Sequence, residues 1–260
     1  MGVPRVLTVA GSDSCGGAGI QADIKTISAL GGHAMTVVTA LTAQDTIDVK
    51  SIYEIPPDFV AAQFNAVVVD IGVDAIKTGM LFAAPIIEVV ADRIRHFQIE
   101  PVVVDPVLTA SGGTNLLAKE ARESLCRELF PLAFLVTPNV PEAEVLSDVV
   151  ISSPSDMKVA ARIIYEMGPR FVLIKGGHLI SGHVHMFYDG HTFREIPYRR
   201  LDTEDTHGSG CTLSAAIATE IARGRDVLEA ITIAESFVNK AICHALRLGK
   251  GRGFLNQFAL

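Results

Sequence analysis

The sequence predicts a three-layer α/β/α sandwich around a mostly parallel sheet, built as a single domain over residues 1–260. Two patterns predict it. Short, wholly apolar runs recur along the chain, and longer amphipathic segments separate them. Apolar runs without in/out alternation are how strands covered on both faces read. The composition agrees: 49% hydrophobic and 20% charged residues, with a mean hydropathy of +0.36, supply one large core without disulfides or a structural metal.

In chain order, buried strands are expected at Val6–Ala10, Thr36–Leu41, Ala75–Lys77, Val102–Val104, Phe134–Val136 and Phe171–Ile174. Helical stripes fall between and after them. Ile20, Ile24 and Ile27 share one face, as do Leu213, Ile217 and Ile221, and a third stripe runs through Leu228, Ile231, Ala234, Val238 and Ile242. One hairpin breaks the alternation: His183–Tyr188 and Thr192–Ile196, joined through a two-residue Asp189-Gly190 turn. Internal repeats, low-complexity stretches and linkers are absent from the sequence.

Composition also narrows the partners. The formal net charge is −7 and Lys and Arg form no stripe, which argues against nucleic acid and for a small molecule. No apolar run approaches the length of a membrane span, and the Val6–Ala10 stretch lacks the flanks of a signal peptide. Cys15, Cys126, Cys211 and Cys243 form no CxxC pair, so free thiols in a reducing cytoplasm are expected.

The polar residues at the strand ends carry the functional signal. Val6–Ala10 runs into Gly11-Ser12-Asp13, Val102–Val104 into Asp105-Pro106, Phe134–Val136 into Thr137-Pro138-Asn139, and Phe171–Ile174 into Lys175-Gly176-Gly177. Open parallel sheets bind ligands outside the carboxyl ends of their strands, so four such ends predict one shared site. Within Gly11–Gly19, Gly17-Ala18-Gly19-Ile20-Gln21-Ala22 fits a dinucleotide pattern, but Gly17 stands seven residues beyond Ala10, too far from the strand end for that use. No G-x-x-x-x-G-K-[ST] phosphate loop occurs. The Gly11–Gly19 loop is instead expected to wrap a small substrate by close backbone approach. Gly208-Ser209-Gly210-Cys211 opens an apolar helix whose free N–H groups make an anion hole.

Other chemistries use fewer of these residues. A cysteine hydrolase could use Cys211 with His207 as its base, but leaves Asp105, Glu142 and Lys175 without a task. Phosphoryl transfer employs all of them. His183 and His185 alternate as zinc ligands do, with His178 and His191 nearby, yet no Cys or carboxylate has ligand spacing beside them, and a solvated hairpin face is expected.

Seven segments together resemble the hydroxymethylpyrimidine (phosphate) kinases of thiamine biosynthesis, within the ribokinase-like superfamily. They are AGSDSCGGAGIQADIKT (10–26), VTALTAQDT (38–46), KTGML (77–81), VVDPVL (103–108), TPNVPEAEVL (137–146), IKGGH (174–178) and THGSGCTLSAAIA (206–218). The resemblance implies ATP-dependent phosphorylation of 4-amino-5-hydroxymethyl-2-methylpyrimidine and then of its monophosphate. It implies that Asp23 and Gln44 hydrogen-bond the aminopyrimidine in a pocket lined by Gly11, Met80 and Val107. Asp105 and Glu142 would hold Mg2+; Lys175, Asn139, Thr206 and Gly208 would contact ATP; and Cys211, Lys175, Gly208 and Gly210 would serve the transfer itself. A homodimer is implied too. Pyridoxine or pyridoxal kinase is the same chemistry on a similar ring, and a binding regulator without turnover is the alternative of another class. Two departures stand out: Glu235, where many members carry Lys, and Phe254 and Gln257 in the C-terminal tail, where Pro and His are common.

Overall fold

In a computed structural model, which describes residues 2–108, 119–177 and 183–259, nine strands join one sheet. The elements run β1 (Arg5–Asp13), α1 (Gly19–Ala29), β2 (His33–Gln44), β3 (Val49–Glu54), α2 (Pro57–Asp70), β4 (Ala75–Thr78), α3 (Ala84–Phe97), β5 (Val102–Val104), α4 (Lys119–Ser124), β6 (Leu135–Val136), α5 (Val140–Ser147) and α6 (Pro154–Tyr165), then β7 (Phe171–Ile174), β8 (Val184–Tyr188), β9 (Phe193–Pro197), α7 (Ser209–Ala222) and α8 (Val227–Cys243). The sheet order is β3-β2-β1-β4-β5-β6-β7-β8-β9. The pairs from β2 to β7 are parallel; β3 and the β8–β9 hairpin add antiparallel edges.

Strand alternation sorts the core into two layers. Leu7, Val9, Ile76, Val102, Val104 and Ile174 point toward one cluster, where Val60 and Phe64 of α2, Ile87 and Val90 of α3 and Ile164 of α6 pack. Val6, Val103, Leu135 and Leu173 point to the other, against Ile27 of α1, Leu213 and Ile217 of α7 and Ile231 of α8. Every one of these residues is buried, as apolar runs in a doubly covered sheet require.

Three expectations change. β3 was not predicted, because its Lys50, Ser51 and Glu54 are exposed and break the apolar signal. β1 and β2 extend past their apolar runs to Asp13 and Gln44, so polar residues sit on strands rather than after them. The hairpin turn also lies one residue later than expected. Tyr188 pairs with Phe193, and the Asp189 carboxylate accepts from the His191 and Thr192 amides, leaving Gly190-His191 at the tip with Gly190 at φ +90°.

The connection from β1 returns through α1 to β2, whereas that from β3 passes through α2 to β4 on the other side of β1. The direction of winding therefore switches between β1 and β4. The polar strand ends run from β1, at one side of that crevice, along the same carboxyl edge of the sheet to β5, β6 and β7.

Candidate active site

A cavity of about 1060 Å³ opens at this switch point, large enough for two small ligands together. One end is built on the β1–β2 pair. The β1–β2 register shifts between Ala10 and Ser12, which sets Gly11 at an irregularity facing the cavity. A Cβ on Gly11 would meet the Met80 side chain at 2.4 Å, so glycine lets Met80 cover this end. Met80 packs with Ala40, Ile52, Phe82 and Val107 as an apolar cluster, and Gln44, which also lines the cavity, accepts from the Thr42 hydroxyl. Gly11, Gln44, Met80 and Val107 all line the cavity.

The middle is polar. The Lys175 ammonium donates to Asp105 Oδ1 at 2.7 Å, Thr137 and Ser214 donate to Asp105 at 3.2 Å each, and the Lys175 nitrogen lies 3.3 Å from where a Gly210 Cβ would stand. Gly208 caps α7 in the left-handed region, φ +85°, with a Cβ position only 1.8 Å from the Gly17 carbonyl oxygen. No other residue fits there. Ser209 N–H is taken by Thr206 and Thr212 N–H by Gly208, which leaves the Gly210 and Cys211 amides at the cavity wall beside the helix's positive end. Lys175, Asp105, Asn139, Thr206, Gly208, Gly210 and Cys211 all line this cavity.

The electrostatics follow from crowding. Burial pushes Asp105 up, but the Lys175 and Lys77 ammonium groups outweigh it and hold the carboxyl low. Burial pulls Lys175 down, and Asp105 and Glu142 overcome it, keeping it charged. Glu142 is pushed up to about 7 by burial, with Asp105 adding repulsion against the pull of Lys175. It is also half of a capping box: Asn139 Oδ1 accepts from Glu142 N–H at 2.9 Å, and Glu142 Oε2 accepts from Asn139 N–H at 2.8 Å. One oxygen of Glu142 therefore has a structural task.

Cys211 is pushed up to about 11 by burial, despite the opposing pull of Lys77, so at neutral pH it is a thiol. His207 bonds to Asp13 at 3.1 Å. A hydrolase built on a Cys211 thiolate lacks its nucleophile here.

Asp23 departs from its expected place. It is fully buried, does not line the cavity, and gives both oxygens to Lys77 at 2.9 Å, with the Thr8 hydroxyl as a further donor at 2.5 Å. A buried lysine must have a counter-ion, and Lys77 takes the whole carboxylate. His185 departs from the solvated hairpin face, whereas His183 and His191 are exposed as expected. His185 is buried rather than solvated: its Nδ1 accepts from Gly176 N–H, its Nε2 meets Glu235 at 3.0 Å, and its ring stacks on Tyr198. Glu235 thus has a partner on β8, and both residues line the far end of the cavity. His178 lies outside the described residues.

The partners of two residues are not legible in the sequence. Lys77 is a lone cation in an apolar strand, a signal that a buried partner had to exist. Asp13 lies just before a glycine-rich loop and gathers it, accepting from the amides of Cys15, Gly17 and Ala18.

The model of the family "Phosphomethylpyrimidine kinase" matches residues 13–256, nearly the whole chain. The chain belongs to the phosphomethylpyrimidine kinase family. It is 47% identical over 253 residues to a hydroxymethylpyrimidine/phosphomethylpyrimidine kinase of Mycobacterium tuberculosis, covering 96% of this chain and 92% of that one. A Geobacter sulfurreducens thiamine biosynthesis bifunctional protein is 50% identical over 97% of this chain, which spans only 52% of that protein's length. Among solved structures, a pyridoxal kinase of Bacillus subtilis in complex with ADP superposes with a TM-score of 0.93 at 39% identity, covering 99% and 98% of the two chains. The phosphomethylpyrimidine kinase of Clostridium difficile gives 0.83 at 39% identity, covering 92% of this chain and 99% of that one. These kinase relatives carry the ribokinase-like α/β/α fold seen here. No helix among the described residues is long and apolar enough to cross a membrane.

Proposed function

We propose that the chain transfers the γ-phosphoryl group of ATP to 4-amino-5-hydroxymethyl-2-methylpyrimidine and then to the resulting monophosphate. One observation carries the reading: a single cavity is lined both by Gly11, Gln44, Met80 and Val107 and by a cationic anion hole at Lys175 and Gly208–Cys211. The Gln44 amide can accept from the amino group and donate to a ring nitrogen, which suits an aminopyrimidine. The family and the Mycobacterium tuberculosis relative support the substrate.

In the first transfer the substrate's hydroxymethyl oxygen forms a bond to the γ-phosphorus while the bond from phosphorus to the bridging β-oxygen breaks, its electron pair leaving on ADP. The hydroxyl proton passes to solvent or product phosphate; a neutral Cys211 does not take it as a strong base would. Lys175 and the amides of Gly210 and Cys211 meet the charge spread over the transferring oxygens. Asp105 and Glu142 offer an oxygen-only, net-negative pair around one lysine, which fits Mg2+; these two residues would hold it. The ion would supply charge neutralisation to the β- and γ-phosphates. Asn139 and Thr206 flank the nucleotide path, and Asp23 acts through Lys77 as a positioning residue. The exposed Leu41, Ile47 and Tyr53 of the β2–β3 ribbon support a homodimer through this edge.

Mg-ATP turnover is to be followed by ADP release and product mass with hydroxymethylpyrimidine, its monophosphate and pyridoxine in parallel. Both pyrimidines are expected to react, with diphosphate accumulating. Reaction with pyridoxine alone would transfer the assignment to pyridoxine/pyridoxal kinase, a reading favoured by the superposition on the Bacillus subtilis pyridoxal kinase. Absence of turnover with all three would leave a binding regulator.

A further inference from the structure

We propose that Asp13, Cys15 and His207 form a site for a soft divalent cation of the zinc type, bound through carboxylate oxygen, thiolate sulfur and imidazole nitrogen where the glycine loop meets the turn before α7. One donor atom from each residue lies within 4.8 Å of the other two. The Cys15 sulfur is 3.0 Å from Asp13 Oδ1, and His207 Nε2 is 3.1 Å from Asp13 Oδ2. Zinc bonds of about 2.0–2.3 Å set tetrahedral ligand separations of roughly 3.2–3.8 Å; the two edges at Asp13 fall just short of that range, and the Cys15–His207 edge lies within 4.8 Å. Three donors from segments 194 residues apart are brought together before any metal arrives.

The surroundings are those of a ligand set. Asp13 is oriented by backbone N–H groups of Cys15, Gly17 and Ala18 at 2.8–3.0 Å, and such outer hydrogen bonds fix a metal-binding carboxylate. His207 is held against Phe254, and its position is tied to Gly17, whose Cβ would collide with both rings. The chemistry of the donors selects the ion. Thiolate with imidazole suits zinc, cobalt and their neighbours, while Mg2+ demands oxygen. Cys15 does not line the cavity, so the kinase chemistry gives no reason for a thiol there.

Uptake balances simply. The Cys15 thiol releases one proton to solvent and forms the metal–sulfur bond, His207 binds through Nε2, and Asp13, held low despite burial by its hydrogen bonds, binds as the carboxylate. The fourth position is left to water. Occupancy ties the Gly16–Gly19 loop to the Gly208–Cys211 turn, giving soft divalent metals a hold on the anion hole that magnesium lacks.

The test is a Co2+ titration of the full chain by near-ultraviolet and visible absorption, with excess Mg2+ present to saturate oxygen-only sites. One equivalent is expected to bind, with a sulfur-to-cobalt charge-transfer band. Cys15→Ser keeps a hydrogen-bonding group beside Asp13; it should abolish the band and weaken uptake by about 10-fold or more. Absence of the band in the unaltered chain would overturn the site. So would a band of equal intensity in Cys15→Ser, because the thiolate would then belong to Cys126, Cys211 or Cys243.

Discussion

At position 211 a neutral thiol stands among charges. Lys77 pulls its pKa down, and Asp23 and Asp105 push it up, so a second carboxylate there would add to an already acidic cluster. A monophosphate entering for the second transfer brings its own negative charge. Cys211→Asp is therefore expected to lower kcat/KM for the monophosphate about 10-fold more than for the alcohol, measured as ADP release with each acceptor. Equal losses would remove the electrostatic account. The Asp23–Lys77 pair beneath it is wholly buried. Asp23→Ala strands a buried ammonium and should cost about 3–5 kcal/mol in urea unfolding, whereas Asp23→Leu with Lys77→Met should cost clearly less. A smaller loss for the single variant would mean that water reaches Lys77. The strand-end residues Asp105, Asn139 and Lys175 were legible as a set because each follows an apolar run. Nothing local in the sequence tells a carboxylate facing a cavity from one that, like Asp23, faces a buried lysine.

Among the elements, α5 shows how one motif serves two ends. The T-P-N-x-x-E segment is a helix start, with Asn139 and Glu142 capping one another and Pro141 in the first turn. The same geometry holds the Glu142 carboxyl near Asp105 and Lys175, where burial raises it to about 7 from an ordinary value of 4.5. Between those values the native state binds the proton more tightly than the unfolded chain does. Stability from this group is present below about pH 4.5 and is lost as pH rises to about 7. Glu142→Gln should flatten that part of the Tm-versus-pH curve. A bound Mg2+ competes with the same proton, so Mg2+ should raise Tm more at about pH 8 than at about pH 6. Equal rises at both pH values would take Glu142 out of the metal's reach. Strands buried on both faces were readable from their apolar runs. β3 and the ends of β1 and β2 were not, because exposed or cavity-facing positions take polar residues and lose the pattern.

Over the whole molecule, the C-terminal tail closes the site from outside it. Arg247 and the Gly253 amide bind Asp205, while Phe254 pairs with Leu246 and lies on Gly17 and His207. The tail thus joins the glycine loop of β1 to the turn before α7 through Phe254. Phe254→Ala is expected to cost about 3 kcal/mol in unfolding and to raise the KM for the pyrimidine, since the glycine loop loses its backing. An unchanged KM with the stability loss would make the tail a purely structural brace.

The amino-acid pattern by itself determined the layered fold, the run of polar strand ends and the glycine turn before α7. Each is a local consequence of burial, backbone freedom or helix polarity. Only the tertiary structure decided which polar groups face the cavity and which face one another. The pairings Asp23–Lys77, Asp13–His207 and His185–Glu235 span 54, 194 and 50 residues. A charge is neutralised by whatever the fold brings beside it, and the spacing of residues along the chain carries no record of that distance.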